Sequence, residues 1–181
     1  MNDEDLDVSR DWQVRRIKVD EGLRLRALRL QALADAPTAF GSTHAREEKF
    51  AEDVWHRRAA DGAAGLASVT IVAEQADRLV GMASGLATDA TEANVIGPVL
   101  VGMFVDRSVR RLGIGEALIE SVKTWARSSG HVSLHLWAVS SNAPALALYR
   151  RCGFRDNGVT RPLSHTPGLS ELQMLVPLPA G

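Results

Sequence analysis

A single α/β domain is predicted for this chain of 181 residues, and three observations predict it. Val99-Leu100-Val101-Gly102-Met103-Phe104-Val105 is an apolar run of strand length, and across a short turn it leads into an amphipathic helix. Residues 67–74 and 78–86 read as two strands of a hairpin. Leu134-His135-Leu136-Trp137-Ala138 reads as another strand, followed by a helix with Pro144 in its first turn and Gly153 just past its end.

Taken in order, residues 1–11 carry Asp3, Glu4, Asp5, Asp7 and Asp11 with little to bury, which predicts a disordered acidic tail ahead of one domain over 12–181. Residues 12–19 alternate well enough for a half-buried first strand. Asp20 suits an N-cap, with Leu23, Ala27, Leu30 and Ala34 at helical spacing, and Pro37 ends that helix by restricting Ala36. A second helix is expected near 44–60, with Phe50, Val54 and Trp55 facing inward. The hairpin turns at Gln75-Ala76-Asp77, a polar loop covers 89–94, and the long central strand covers 95–105 with irregular points at Gly97-Pro98 and Gly102. A helix from Gly113 buries Ile114, Leu118, Val122 and Trp125 and stops at Gly130. A strand over 132–139, a helix capped by Asn142 or Ser141, and last strands over 154–160 and 171–178 complete the chain.

The turn after the central strand has the makings of an anion site. Arg110 and Arg111 supply fixed charge and donor forks, and Gly113 and Gly115 let the first N–H groups of the helix approach a phosphate closely. Such turns are common, and a plain helix start with a solvated Arg pair explains the same residues.

Composition narrows the function classes. A net charge of −1 gives no overall case for nucleic acid or an anionic membrane surface, and the Arg107, Arg110 and Arg111 cluster is small and without interleaved aromatics. Cys152 is the only cysteine, so no intrachain disulfide forms. No apolar stretch approaches eighteen residues and no signal pattern opens the chain, so a cytoplasmic protein is the default. His56, His131 and His165 have no metal-ligand spacing with acids or Cys, so no metal is expected.

Two stretches together resemble the GNAT superfamily of acyl-CoA-dependent N-acetyltransferases. Arg110, Gly113 and Gly115 match its Arg/Gln-x-x-Gly-x-Gly/Ala pyrophosphate turn. Asn142, Ala145, Leu148, Tyr149, Gly153 and Phe154 match its Asn-x-x-Ala-x-x-Leu-Tyr-x-x-x-Gly-Phe segment. Asp35-Ala36-Pro37-Thr38-Ala39-Phe40-Gly41-Ser42, with Glu47-Glu48 and Trp55-His56-Arg57, is similar to the N-terminal part of a group of bacterial members.

That resemblance implies a mixed, mostly antiparallel, splayed central sheet of six or seven strands flanked by about four helices. It implies acetyl-CoA as cosubstrate: the pyrophosphate at Arg110, Arg111, Leu112, Gly113, Ile114 and Gly115, and the pantetheine arm along Met103, Phe104 and Val105 and against Asn142. A fully paired strand has no N–H to spare, so this use of residues 103–105 requires a bulge or splay near Gly102 to Val105. Tyr149 would be the general acid for the departing thiolate, since a phenol of pKa near 10 stays protonated at neutral pH. Read from the residues alone, Ala145, Leu148, Tyr149 and Cys152 are simply the buried stripe of their helix.

The central strand carries no ionisable side chain, although many family members place a Glu there. His44, Glu47, Glu48, Asp89, Glu92 and His135 are candidate proton acceptors, and none is singled out. An acyl-cysteine route through Cys152 competes with the plainer reading of a small residue before the helix-ending glycine. The expected activity is transfer of an acetyl group to the primary amine of a small molecule in a direct ternary complex. The alternatives are a protein N-terminal or lysine acetyltransferase and a non-catalytic acyl-CoA-binding module. A possible homodimer follows from the family alone.

Overall fold

The computed structural model describes residues 11–88, 97–163 and 165–179. The expected acidic tail, apart from Asp11, lies outside the described residues, as do the polar loop with Asp89 and Glu92 and the first two residues of the expected central strand.

Seven strands form one sheet: β1 (Trp12–Arg16), β2 (Ser68–Gln75), β3 (Arg78–Leu86), β4 (Val99–Val105), β5 (Ser133–Val139), β6 (Arg155–Pro162) and β7 (Ser170–Pro177), in the spatial order β1-β2-β3-β4-β5-β7-β6. Every neighbouring pair is antiparallel except β4 and β5. Among the described residues, five α-helices flank it: α1 (Gly22–Asp35), α2 (His44–Glu47), α3 (Glu52–Ala64), α4 (Ile114–Ser128) and α5 (Ala143–Arg151). This is the mixed, mostly antiparallel α/β arrangement expected from the sequence, with one short helix more.

Two apolar clusters sit on the sheet. The larger gathers Ile114, Leu118, Ile119, Val122 and Trp125 of α4 with Leu134, Leu136, Leu172 and Met174. Trp125 packs directly over Gly85, where a Cβ would lie 2.5 Å from its ring, and its indole N–H donates to the carbonyl of Gly65 at 2.8 Å. The smaller cluster joins Leu25, Leu28 and Leu33 of α1 and Trp55 and Ala59 of α3 to Val72, Met82 and Phe104.

Several local expectations need correction. β1 stops at Arg16, and α1 begins at Gly22 with Glu21 at the N-cap, so Asp20 is left exposed. Leu25, Leu28, Ala32 and Leu33 are the buried residues of α1, while Leu23 is 48% exposed and Ala27 and Ala34 face solvent. Leucines recur all around this helix, and close packing of Gly22 on His56 of α3, whose Cα lies 2.9 Å from the Cβ position, sets its rotation. The helix expected over 44–60 is broken: Ala51 is extended and caps α3, which leaves Phe50 and Val54 half-buried and only Trp55 fully enclosed. The β2–β3 hairpin turns through Ala76 and Asp77, both at positive φ, as a tight two-residue turn with matching twist requires.

Glu21 also anchors α1 to the sheet. Arg15 donates to both oxygens of Glu21, at 2.7 and 2.8 Å, and to Glu74 at 2.9 Å. Arg24 bonds Glu21 and, at 2.8 Å, Glu74. The hydrogen bonds from Arg15 hold both carboxyls at about 2, well below their ordinary 4.5, with Arg24 adding to the effect on Glu74. Because these values are depressed in the folded chain, the stabilisation is complete above about pH 4.5 and is lost as pH falls through 4.5 toward 2. Urea unfolding followed by circular dichroism is expected to lose roughly 2–3 kcal/mol over that window through this network, with a shallower slope in Glu74→Gln.

Candidate functional site

The site begins with a mismatch between β3 and β4. Met82 pairs with Phe104 and Ser84 with Val101, so β4 carries one residue more than β3 over this span. The extra residue is a bulge, and Gly102, at φ +65°, takes the left-handed conformation that a bulge demands. On its other side β4 pairs with β5 only at Val99–His135 and Leu100–Leu136. Beyond those pairs β4 follows β3 to Val105 and β5 follows β7 to Val139, so the two strands part. The strand therefore has the irregularity near Gly102 that a role for residues 103–105 requires.

Both parallel strands run toward this parting, and each is followed there by a helix. The N-termini of α4 and α5 thus open at the same end of the sheet, where the helix dipoles favour an anion. At α5 the Ala143 and Ala145 N–H groups are already bonded to Ser141 and Asn142, so α5 adds its dipole and not free N–H donors. Close packing brings the pieces together: a Cβ on Gly115 would lie 3.1 Å from Leu148 of α5 and 3.4 Å from Met103 of β4. Arg151 bonds Glu116 at 2.8 Å, and Lys123 donates to the Cys152 carbonyl at 3.1 Å, tying α5 to α4.

The turn itself differs from its expected form. Arg107–Val109 is one turn of 3₁₀ helix, capped by Asp106, whose Oδ1 accepts from the Ser108 N–H at 2.9 Å and hydroxyl at 2.8 Å. Gln31 of α1 holds the other oxygen at 2.7 Å. Those hydrogen bonds keep the Asp106 carboxyl below its usual range, the Ser108 N–H contributing most. Arg110 and Arg111 precede the helix instead of opening it. Arg110 is extended, with its Nε donating to the Val105 carbonyl at 2.9 Å, and Arg111 stands at φ +67°. Gly113, at φ +84°, is the N-cap of α4, and among the described residues, chain neighbours aside, no atom lies within 4 Å of its Cβ position. Leu112 and Gly113 are exposed and Ile114 is buried, so the open backbone lies on the approach to the helix.

Asn142 caps α5, its Oδ1 accepting from the Ala145 N–H at 3.3 Å. That bond orients the amide, and Nδ2 donates to no group among the described residues. Leu146 and Tyr149 are the buried residues of α5, with Ala145 and Leu148 half-buried, so the expected stripe is shifted toward Leu146. The Tyr149 ring meets Phe154 edge-on at 6.0 Å, and burial raises its phenol pKa above the ordinary 10. Cys152 is buried, and burial pushes its thiol up to about 11, which leaves little thiolate at neutral pH.

The profile of the Acetyltransferase (GNAT) family matches residues 30–154. The chain belongs to the GNAT acetyltransferase family. It is 34% identical over 87 residues to N-acetyltransferase 8 of Homo sapiens, which covers 48% of this chain and 38% of that protein. It is 36% identical over 93 residues to mycothiol acetyltransferase of Clavibacter sepedonicus, covering 51% of this chain and 29% of that one. The chain thus spans about a third of the length of these curated relatives.

Among solved structures, a GNAT acetyltransferase from Streptococcus pneumoniae superimposes with a TM-score of 0.76 at 19% identity, over 93% of this chain and 99% of that one. YncA of Salmonella typhimurium, a putative acetyltransferase solved with its cofactor acetyl-CoA, gives 0.75 at 16% identity, over 94% and 95%. At these identities the likeness is one of fold.

The fold scatters the candidate proton acceptors. His135 is buried in β5 at the last stretch of pairing with β4. Glu47 is buried and held by Arg29 and Arg58, so its oxygens are occupied. His44 and Glu48 are both well exposed and lie 3.4 Å apart, and Asp89 and Glu92 fall outside the described residues. Arg29 was missed altogether from the sequence, where it is one of three arginines on α1. Its Nη1 approaches to 4.0 Å from the Cβ position of Gly102.

Asn142→Asp keeps a capping oxygen and removes the free amide donor. It is expected to raise the KM for acetyl-CoA about tenfold while leaving thermal stability almost unchanged, as steady-state kinetics and a melting curve would check.

Proposed function

We propose that the chain catalyses acetyl-CoA-dependent N-acetylation of a small-molecule primary amine by direct transfer in a ternary complex. The observation that carries this reading is the parting of β4 from β5 where the N-termini of α4 and α5 converge. A slot between strands with unpaired backbone edges suits an extended, amide-rich arm, and the helix ends beside it suit a pyrophosphate. Arg111, Gly113 and Gly115 would hold the phosphates, with Arg110 turned back to Val105 and its outer nitrogens available. Met103 to Val105 and the Asn142 amide would hold the arm.

Acetyl-CoA supplies the thioester, and the chain's own residues position it and manage protons. A backbone N–H at the bulge would steady the oxygen that gains charge on attack. Tyr149 would give its proton to the departing sulfur and regain one from the attacking nitrogen, so the phenol ends the step protonated as it began. The buried phenol stays protonated well above neutrality, so the proton is present to be given, while the same burial makes the phenol a weaker acid than a free one.

Thiol release from acetyl-CoA by the purified chain, across a panel of amines and peptides, tests the reading. Amine-dependent release with mass addition of one acetyl group to the acceptor is the expected result. Release only with peptides would replace the small-molecule acceptor by a protein N-terminus or lysine. Tight acetyl-CoA binding with no release for any amine or peptide would overturn catalysis in favour of a binding module.

A further inference from the structure

Gly102 leaves an opening in the wall of β4, and one charged edge borders it. Among the described residues, the Nη1 of Arg29 is the atom that comes within 4.0 Å of the Gly102 Cβ position, apart from the chain neighbours of Gly102. The rest of that guanidinium is already engaged. Nη2 donates to Glu47 Oε1 at 2.8 Å, Nε donates to Glu47 Oε2 at 3.2 Å, and the group lies over the Phe40 ring at 4.7 Å. Nη1 donates to no group among the described residues.

Glu47 does not cancel the positive charge here, because it is shared. Arg58 also bonds it, at 3.1 Å, while lying over Trp55 at 4.8 Å and Phe50 at 5.2 Å. Two guanidinium groups and one carboxylate leave one net positive charge, held on side chains that are pinned before anything binds. A fixed arginine with an unused edge is a preorganised receptor for a carboxylate, since its fork is already oriented. A purely cationic acceptor, by contrast, would bring a like charge to this cluster.

Resting on the acetyl-transfer reading above, we propose that Arg29 receives a carboxylate of the acceptor, which makes the substrate an α-amino acid or a similarly compact amino carboxylate. The acid group sits at the Arg29 edge, and the amine two bonds away is directed to the bulge of β4, where the transferred acetyl group would lie. Arg29 is thus a specificity-determining residue, and Glu47, Phe40 and Arg58 position it.

The test uses the full chain and matched acceptors: each amino acid beside its amide and its decarboxylated amine, with initial rates of thiol release at saturating acetyl-CoA. The acid form is expected to exceed both partners at least tenfold in kcat/KM, chiefly through KM. In Arg29→Lys, which keeps a cation facing Glu47, that preference is expected to fall at least fivefold, with a melting curve confirming that the variant is folded. Amides or plain amines that react as well as the acids would overturn the carboxylate site and leave acetyl transfer standing. Bound acetyl-CoA with no thiol release for any acceptor, peptides included, would overturn both.

Discussion

Tyr149→Phe is expected to lower kcat for amine acetylation by about 10²–10³-fold, the range for losing a positioned general acid. The KM for acetyl-CoA should move less than about threefold, since the ring and its edge contact with Phe154 are retained. Stability should stay within about 1 kcal/mol, because one hydroxyl is removed and no cavity is made. The departing thiolate is a poor leaving group unless its charge is met as the bond breaks, and the phenol is a donor that burial keeps protonated. Steady-state kinetics with a thiol-detecting reagent checks this. Turnover near that of the parent would remove Tyr149 from the chemistry and leave it as a packing residue on α5.

Gly113→Ala is expected to weaken acetyl-CoA binding at least tenfold, measured by calorimetric titration. Among the described residues, chain neighbours aside, no atom lies within 4 Å of the place of the methyl group, so ordinary crowding does not enter. Two costs remain. The residue stands at φ +84°, where a side chain costs on the order of 1 kcal/mol. The same methyl group also occupies the space through which an anion would reach the first N–H groups of α4. A melting curve separates the two, because the backbone cost appears without ligand and the blocked approach does not. Unchanged acetyl-CoA affinity would move the phosphate site away from this turn.

The regular parts of this fold follow from local patterns. Ile114, Leu118, Val122 and Trp125 give α4 one unambiguous apolar face, and the structure buries all four. Alternation and turn residues suffice for the β2–β3 hairpin. On α1, leucines recur all around the helix, so periodicity cannot select a face, and packing on α3 and the sheet decides. The break at Ala51 has the same character, because it depends on where Trp55 must go. At the candidate site, the glycines of the anion turn and the Asn142–Tyr149 spacing are local and visible in the chain. Arg29 is legible only in three dimensions: the sequence separates it from Gly102 by more than seventy residues, and only the bulge gives it something to face. The turn of Arg110 toward Val105 is equally invisible, since it follows from a 3₁₀ turn held by Asp106 and Gln31.

The division of the interior into two apolar clusters has an evolutionary consequence. Phe40, Trp55, Leu28 and Ala59 belong to one, and α4 with its anion turn to the other, with Met82 and Phe104 serving the first from the sheet itself. Substitutions in the α1–α3 layer that spare Gln31, which holds Asp106, and Gly65, which accepts from Trp125, therefore leave the apolar seating of α4 and α5 largely in place. If the acceptor binds at Arg29 as proposed, a lineage can exchange one acceptor for another, residue by residue around Arg29 and Phe50, while the α4 and α5 side keeps its packing. On that proposal, directed evolution confined to those positions is a route to new acceptors with the seating of α4 and α5 kept.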